Sequence, residues 1–163
     1  MIKKKYTLKD FLPLIVIFLG ICIVSLYVFF SYGHDLMFAA RIFMAGFFLV
    51  FGLLKLIKLK AFAEAYQMYD VLASRSILYA YLYPFIELGL GFAYAFNFQP
   101  TITQWVTVMV MLFSALGVYL QLRKGEKIIC ACLGTVFKVP MTWVTLFEDL
   151  LMAAMAGYML IVL

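Results

Sequence analysis

Residues 36–57 read LMFAARIFMAGFFLVFGLLKLI, and this stretch decides the fold class. Its length matches the roughly 20 apolar residues with which an α-helix crosses about 30 Å of hydrocarbon. The two charged residues of the stretch lie on one face of that helix together with three others at spacings of three and four residues: Arg41, Ala45, Phe48, Gly52 and Lys55. We expect this face to be turned toward neighbouring helices.

Four further apolar runs have the same character and cover residues 11–30, 77–96, 102–122 and 143–163. The chain is 67% hydrophobic, against roughly 45–50% in a soluble domain, whereas lipid solvates apolar helices directly. The first run follows three lysines but exceeds the apolar core of a signal peptide, about 7–15 residues, so we interpret it as a retained helix. The sequence therefore predicts an all-α integral membrane protein with five transmembrane helices.

Lysine and arginine lie almost entirely on one side of this predicted bundle. They precede the first helix, flank the segment between the second and third, and follow the fourth, whereas loops 31–35 and 97–101 contain none. Cytoplasmic loops carry the excess of positive charge, so we predict a cytoplasmic N-terminus and an outer C-terminus. The net charge of +5 follows from these loops and does not indicate nucleic acid; the expected partner is the lipid bilayer.

The segment 61–76 is too polar to span a membrane but has helical periodicity. Its aromatic and small residues recur at spacings of three and four, while its polar residues fall elsewhere: Phe62, Tyr66, Tyr69 and Ala73 against Glu64, Gln67 and Asp70. This pattern predicts a surface helix that lies at the cytoplasmic interface.

Ionisable residues inside the predicted spans are candidate functional residues. Placing a charge at mid-bilayer costs about 2.5–3.5 kcal/mol even on the scale from membrane-insertion experiments, which gives the lowest values. Glu87 lies near the middle of its helix, between Pro84 and two glycines that permit close helix approach. We expect Arg41 to be its ion-pair partner, with a ligand or proton role as the alternative. Lys55 lies near the cytoplasmic surface of the membrane, where its long side chain can extend (snorkel) to place the ammonium group in water.

Glu148 and Asp149 begin the second turn of the last helix. Neighbouring helical positions diverge by about 100°, so we expect one carboxylate to face the bundle and the other to cap the helix or contact lipid headgroups.

Cys130-Ala131-Cys132 is the sharpest chemical signal, since the chain has only three cysteines. Thiols this close in sequence form a disulfide only with strain. Strained disulfides take part in thiol–disulfide exchange rather than stabilising a fold. The nearby cations Arg123, Lys124 and Lys127 favour the thiolate. The same pair could hold a soft metal ion such as Cu(I) or Hg(II), together with Cys22 and the methionines of the last helix. These two interpretations stay open.

The order of these features resembles the MauE branch of the DoxX-like family over about residues 36–163. The resemblance is carried by Arg41, Gly46, Gly52 and Lys55, by Phe62 and Tyr69, by Pro84, Glu87, Gly89 and Gly91, by Gly125, by Cys130 to Gly134, and by Glu148, Asp149 and Leu150. The family more usually has the motif Cys-Gly-Cys-Phe-Gly at this point. This sequence departs from the motif at two positions, with Ala131 in place of glycine and Leu133 in place of phenylalanine. Residues 1–35 would then be an N-terminal tail and an extra helix ahead of a four-helix domain, residues 36–163.

The resemblance implies a protein of a bacterial cytoplasmic membrane, linked to methylamine utilisation and disulfide formation, with a quinone as a possible electron partner. By that analogy Cys130 and Cys132 are the exchanging pair, and Arg41 and Glu87 line the bundle cavity. Three functions remain: a membrane thiol oxidoreductase with a partner thiol or quinone, a carrier or accessory protein for a soft heavy metal, and a non-catalytic scaffold of a larger membrane complex.

Overall fold

The computed structural model describes residues 8–33, 35–124, 130, 133 and 143–162. This part of the chain folds into six α-helices, five of which are long and apolar enough to cross a membrane. The helices are α1 (Leu8–Ser31), α2 (Leu36–Ile57), α3 (Leu59–Gln67), α4 (Ile77–Phe96), α5 (Pro100–Lys124) and α6 (Trp143–Val162). The prediction of an all-α membrane protein with five transmembrane helices is confirmed.

Local sequence signals set the helix ends at the loop between α4 and α5 and at the start of α2. The carboxylate of Asp35 accepts a hydrogen bond of 3.0 Å from the backbone N–H of Phe38 and caps α2. Asn97 ends α4 in the left-handed conformation, with φ of 53°, which asparagine tolerates better than most residues. Pro100 then opens α5, where its missing N–H costs nothing.

The helices pack as two extensive pairs, α2 with α4 and α5 with α6. One apolar cluster joins them in the middle of the bundle, around Met44, Phe48, Met111 and Met152. Among the described helices, α1 contacts α2 alone, so it lies on the outside of the four-helix bundle formed by α2, α4, α5 and α6.

The helix predicted for residues 61–76 is shorter than expected and packs differently. It ends at Gln67, because the carboxylate of Asp70 binds the backbone N–H groups of Leu72 (2.9 Å) and Ala73 (2.8 Å) and so holds a turn there. Its aromatic face is turned into the bundle rather than toward lipid, and Asp70, expected on the polar face, is only 1% exposed. We call the end of the bundle where α3 lies the α3 end.

Candidate functional site

An internal cavity lies at the α3 end, between α2, α4, α5, α6 and α3. Its volume is about 30 Å³, which suffices for one or two water molecules. Its polar lining comes from five helices and from the segments that follow α3 and α5, and consists of Lys55, Tyr66, Tyr69, Tyr83, Glu87, Ser114, Cys130, Thr145, Glu148 and Asp149. The cavity thus collects most of the ionisable residues that the sequence singled out.

A buried ion pair between Lys55 and Glu87 forms one wall of this cavity. The side chains are 6% and 2% exposed, so neither charge is solvated by bulk water. The ammonium also lies over the rings of Tyr83 and Phe62, at 5.0 and 5.7 Å from their centroids, which adds cation–π attraction. Lys55 therefore does not snorkel to the surface, contrary to our expectation.

Close packing of α2 on α4 brings these two charges together. A Cβ atom added at Gly91 would lie 2.8 Å from Leu49 Cγ, and one added at Gly52 would lie 3.0 Å from the side chain of Leu88. The absent side chains therefore let the two helices approach and fix their relative register. Gly89, which we also expected to face a helix, has no neighbour within 4 Å of such a Cβ.

Arg41 is not the partner of Glu87, so the expected Arg41–Glu87 pair is wrong. The contacts of Gly52 with Leu88 and of Gly91 with Leu49 set Glu87 near the level of Gly52 in the antiparallel helix. Arg41 lies eleven residues away along α2, or about 16 Å at 1.5 Å per residue, which exceeds the reach of its side chain. The structure places Arg41 in a second cavity at the opposite end of the bundle.

Glu148 and Asp149 both line the cavity at the α3 end, so the expectation that one of them would face the headgroups is also wrong. Glu148 is 6% exposed, and Asp149 Oδ2 accepts a hydrogen bond of 2.9 Å from Ser114 Oγ on α5. Adjacent positions on α6 differ in direction by about 100°, yet both carboxylates reach the same cavity.

Cys130 lines the cavity too, and its side chain is completely buried. It packs in an apolar cluster with Phe62, Tyr66 and Leu146. Cys132, Lys127 and the remainder of that loop other than Leu133 lie outside the described residues. Within the described lining, the cation that shares the cavity with Cys130 is Lys55, rather than Arg123 or Lys124.

Tyrosines of α3 and α4 close the cavity at the α3 end, a role that was not predicted from the sequence. The rings of Tyr66 and Tyr83 lie 4.6 Å apart, and Tyr66 stacks on Phe62 at 5.2 Å. Tyr66 donates a hydrogen bond of 2.9 Å to Asp70; burial raises the pKa of Tyr66 and, against its hydrogen bonds, raises the pKa of Asp70. The four-residue spacing of Tyr79, Tyr83 and Glu87 was the available signal.

The described residues contain no group of three or more His, Cys, Asp or Glu side chains arranged to hold a metal ion. Cys22 lies on the outer helix α1 and packs against the apolar cluster of the bundle, in which Met152 and Met159 are buried.

Two comparisons with known proteins found nothing and one found a match. The family model described as "Methylamine utilisation protein MauE" matches residues 33–162, which include α2 to α6 and leave α1 outside. No curated protein and no solved structure matches the chain.

Proposed function

The chain belongs to the MauE family, and from that membership we propose that it is a membrane thiol oxidoreductase that uses Cys130 and Cys132. One observation carries the proposal: the buried Cys130 thiol shares a small polar cavity with Glu148, Asp149 and the Lys55–Glu87 ion pair. Carboxylates beside a thiol can accept its proton, and thiol–disulfide exchange needs such an acceptor because the thiolate is the attacking form.

The burial of Cys130 leads us to assign different roles to the two cysteines in this proposal. A protein partner cannot reach a completely buried thiol, so we assign the attack on a partner disulfide to Cys132. That attack breaks the partner's S–S bond, forms a mixed disulfide and releases one partner thiolate. Cys130 then gives its proton to a cavity carboxylate and attacks the Cys132 sulfur. The Cys130–Cys132 disulfide forms, and the partner leaves as a dithiol that has gained two electrons.

The same exchanges in reverse oxidise a partner dithiol, and the relative reduction potentials decide the direction. We name a protein disulfide or dithiol as the partner, rather than a quinone inside the bundle, because a cavity of about 30 Å³ accepts water-sized molecules and not a quinone ring.

The experiment traps the mixed disulfide. In membranes of cells that express Cys130→Ser, Cys132 can attack a partner but nothing resolves the product, so we expect a covalent adduct that migrates slowly on a non-reducing gel and disappears on reduction. Cys132→Ser should form none. Cys22→Ser is the matched control and should behave as the unaltered chain does.

The alternatives give other results. Equal adducts from Cys130→Ser and Cys132→Ser would refute the division of roles. Absence of any adduct, together with full partner activity in the double Cys→Ser variant, would refute thiol exchange and favour a scaffold.

We also propose that the α3 end faces the cytoplasm, because the basic segments of the sequence adjoin it and loops 31–35 and 97–101 lack lysine and arginine. In that compartment thiols are normally reduced, which favours Cys130 and Cys132 as electron donors to the partner.

A further inference from the structure

A second cavity, of about 350 Å³, opens at the end of the bundle opposite to the α3 end. It lies where α2 begins, α4 ends and α5 begins, and its polar lining is Asp35, Arg41, Asn97 and Gln104. The ends of three transmembrane helices meet there, so the cavity lies at the level of the lipid headgroups. Its volume falls within the range of small-molecule sites.

Arg41 brings a cation into this cavity. Its guanidinium lies 5.0 Å from the ring centroid of Phe38, its Nε atom is buried without a hydrogen-bond partner, and it makes no ion pair with any described residue. A charge within a transmembrane helix is costly and is normally paired. A planar guanidinium fork suits phosphate or carboxylate groups, which it binds in a bidentate manner.

Gln104 and Asp35 add hydrogen-bond acceptors to the same cavity. Gln104 is 2% exposed, and its Oε1 atom has no partner in the described part of the chain. The carboxylate of Asp35 uses one oxygen, Oδ1, to cap α2. A buried amide oxygen requires an N–H or O–H donor, and a carboxylate adds attraction for a donor that is positively charged.

From these three groups we propose that the cavity binds a phosphoethanolamine group, with the phosphate on Arg41 and the primary ammonium on Gln104 and Asp35. A phosphate alone would satisfy Arg41 and leave the buried oxygen of Gln104 unpaired, and an ammonium alone would leave Arg41 unpaired. The position at the headgroup level makes phosphatidylethanolamine the first source of this group, and free phosphoethanolamine is the second.

The test uses delipidated full-length protein in detergent and the thermal unfolding midpoint at increasing ligand concentration. Dihexanoyl phosphatidylethanolamine, below its micellar concentration, should raise the midpoint saturably. Two other lipids should need at least a tenfold higher concentration to raise the midpoint by the same amount. These are dihexanoyl phosphatidylcholine, which has no N–H donor, and dihexanoyl phosphatidylglycerol, which has no ammonium. Free phosphoethanolamine separates the sources: equal affinity assigns the site to the soluble compound, and weaker binding assigns it to the lipid.

The variants connect this binding to the cavity. Arg41→Gln should weaken this binding at least tenfold. Gln104→Leu should weaken the binding of phosphatidylethanolamine and leave the response to phosphatidylcholine, which offers Gln104 no donor, unchanged. Arg123→Gln is the matched control, because Arg123 also lies near an aromatic ring, at 5.9 Å from the centroid of Tyr119, but at the α3 end. Unchanged binding in both Arg41→Gln and Gln104→Leu, or equal affinity for the choline lipid, would overturn the proposal. Gln104→Leu keeps the test decisive if Arg41→Gln fails to fold.

Discussion

Replacing Lys55 with Met tests whether the buried ion pair holds the site together. The substitution keeps an unbranched side chain of similar length but leaves Glu87, which is 2% exposed, without its charged partner. Loss of one member of a buried pair costs about 3–5 kcal/mol, because the remaining charge is uncompensated. The lost cation–π contacts with Tyr83 and Phe62 add about 0.5–1 kcal/mol each. We therefore expect a loss of about 4–7 kcal/mol.

The assay is the free energy of unfolding in detergent micelles, measured by denaturant titration and by the thermal midpoint. At about 2–4 °C per kcal/mol for a chain of this size, Lys55→Met should lower the midpoint by roughly 8–28 °C. Lys60→Met is the matched control, because Lys60 is an exposed residue of α3, and it should change stability by less than about 0.5 kcal/mol.

The double variant Lys55→Met with Glu87→Gln separates the pair from its individual charges. It removes both charges, so it should be more stable than Lys55→Met alone, with a coupling energy of about 2 kcal/mol or more. Additive losses in the double variant, or a Lys55→Met loss that equals that of Lys60→Met, would refute the assignment of a paired buried charge.

Three further predictions concern packing, pH and topology. Gly91→Ala should cost about 1–3 kcal/mol of unfolding free energy, since its Cβ would lie 2.8 Å from Leu49. Gly89→Ala, with nothing within 4 Å, should be neutral or slightly stabilising, and equal losses would contradict the helix contact. Burial raises the pKa of Asp70 above 3.8, the ordinary value of an aspartate, so the folded chain binds this proton more tightly than the unfolded chain does. Stability should therefore fall as the pH rises from 3.8 through the folded pKa. Asp70→Asn should flatten that part of the unfolding profile, and an unchanged profile would show that Asp70 does not cause it. A C-terminal alkaline phosphatase fusion should be active and an N-terminal fluorescent fusion bright, whereas the reverse pattern would invert the proposed orientation.

The sequence was sufficient to predict the five membrane-spanning helices and several residues of the cavity. Apolar length alone specifies a membrane span, because lipid requires each segment to satisfy its own backbone. The rarity of charges within such segments then identified Lys55, Glu87, Glu148 and Asp149, all of which line the cavity. These predictions depended on one segment at a time.

Predictions that depended on two segments together failed. The choice between Arg41 and Lys55 as the partner of Glu87 depends on the register of α2 against α4, which Gly52 and Gly91 set through contacts that no single segment reveals. The burial of the aromatic face of α3 similarly depends on space left beside α4 and α5. A Cβ at Gly117 would lie 2.9 Å from the backbone oxygen of Tyr69, so the chain after α3 lies directly against α5.

The enclosure of Cys130 has a kinetic consequence. Its side chain has no exposed surface, so a thiol reagent can modify it only during moments when the packing around it opens. The labelling rate in membranes then equals the intrinsic rate of the reagent multiplied by the fraction of time that the cavity is open, when reclosure is fast. Compared for a small and a large maleimide, that rate reports the fraction of time for which an opening wide enough for each reagent exists.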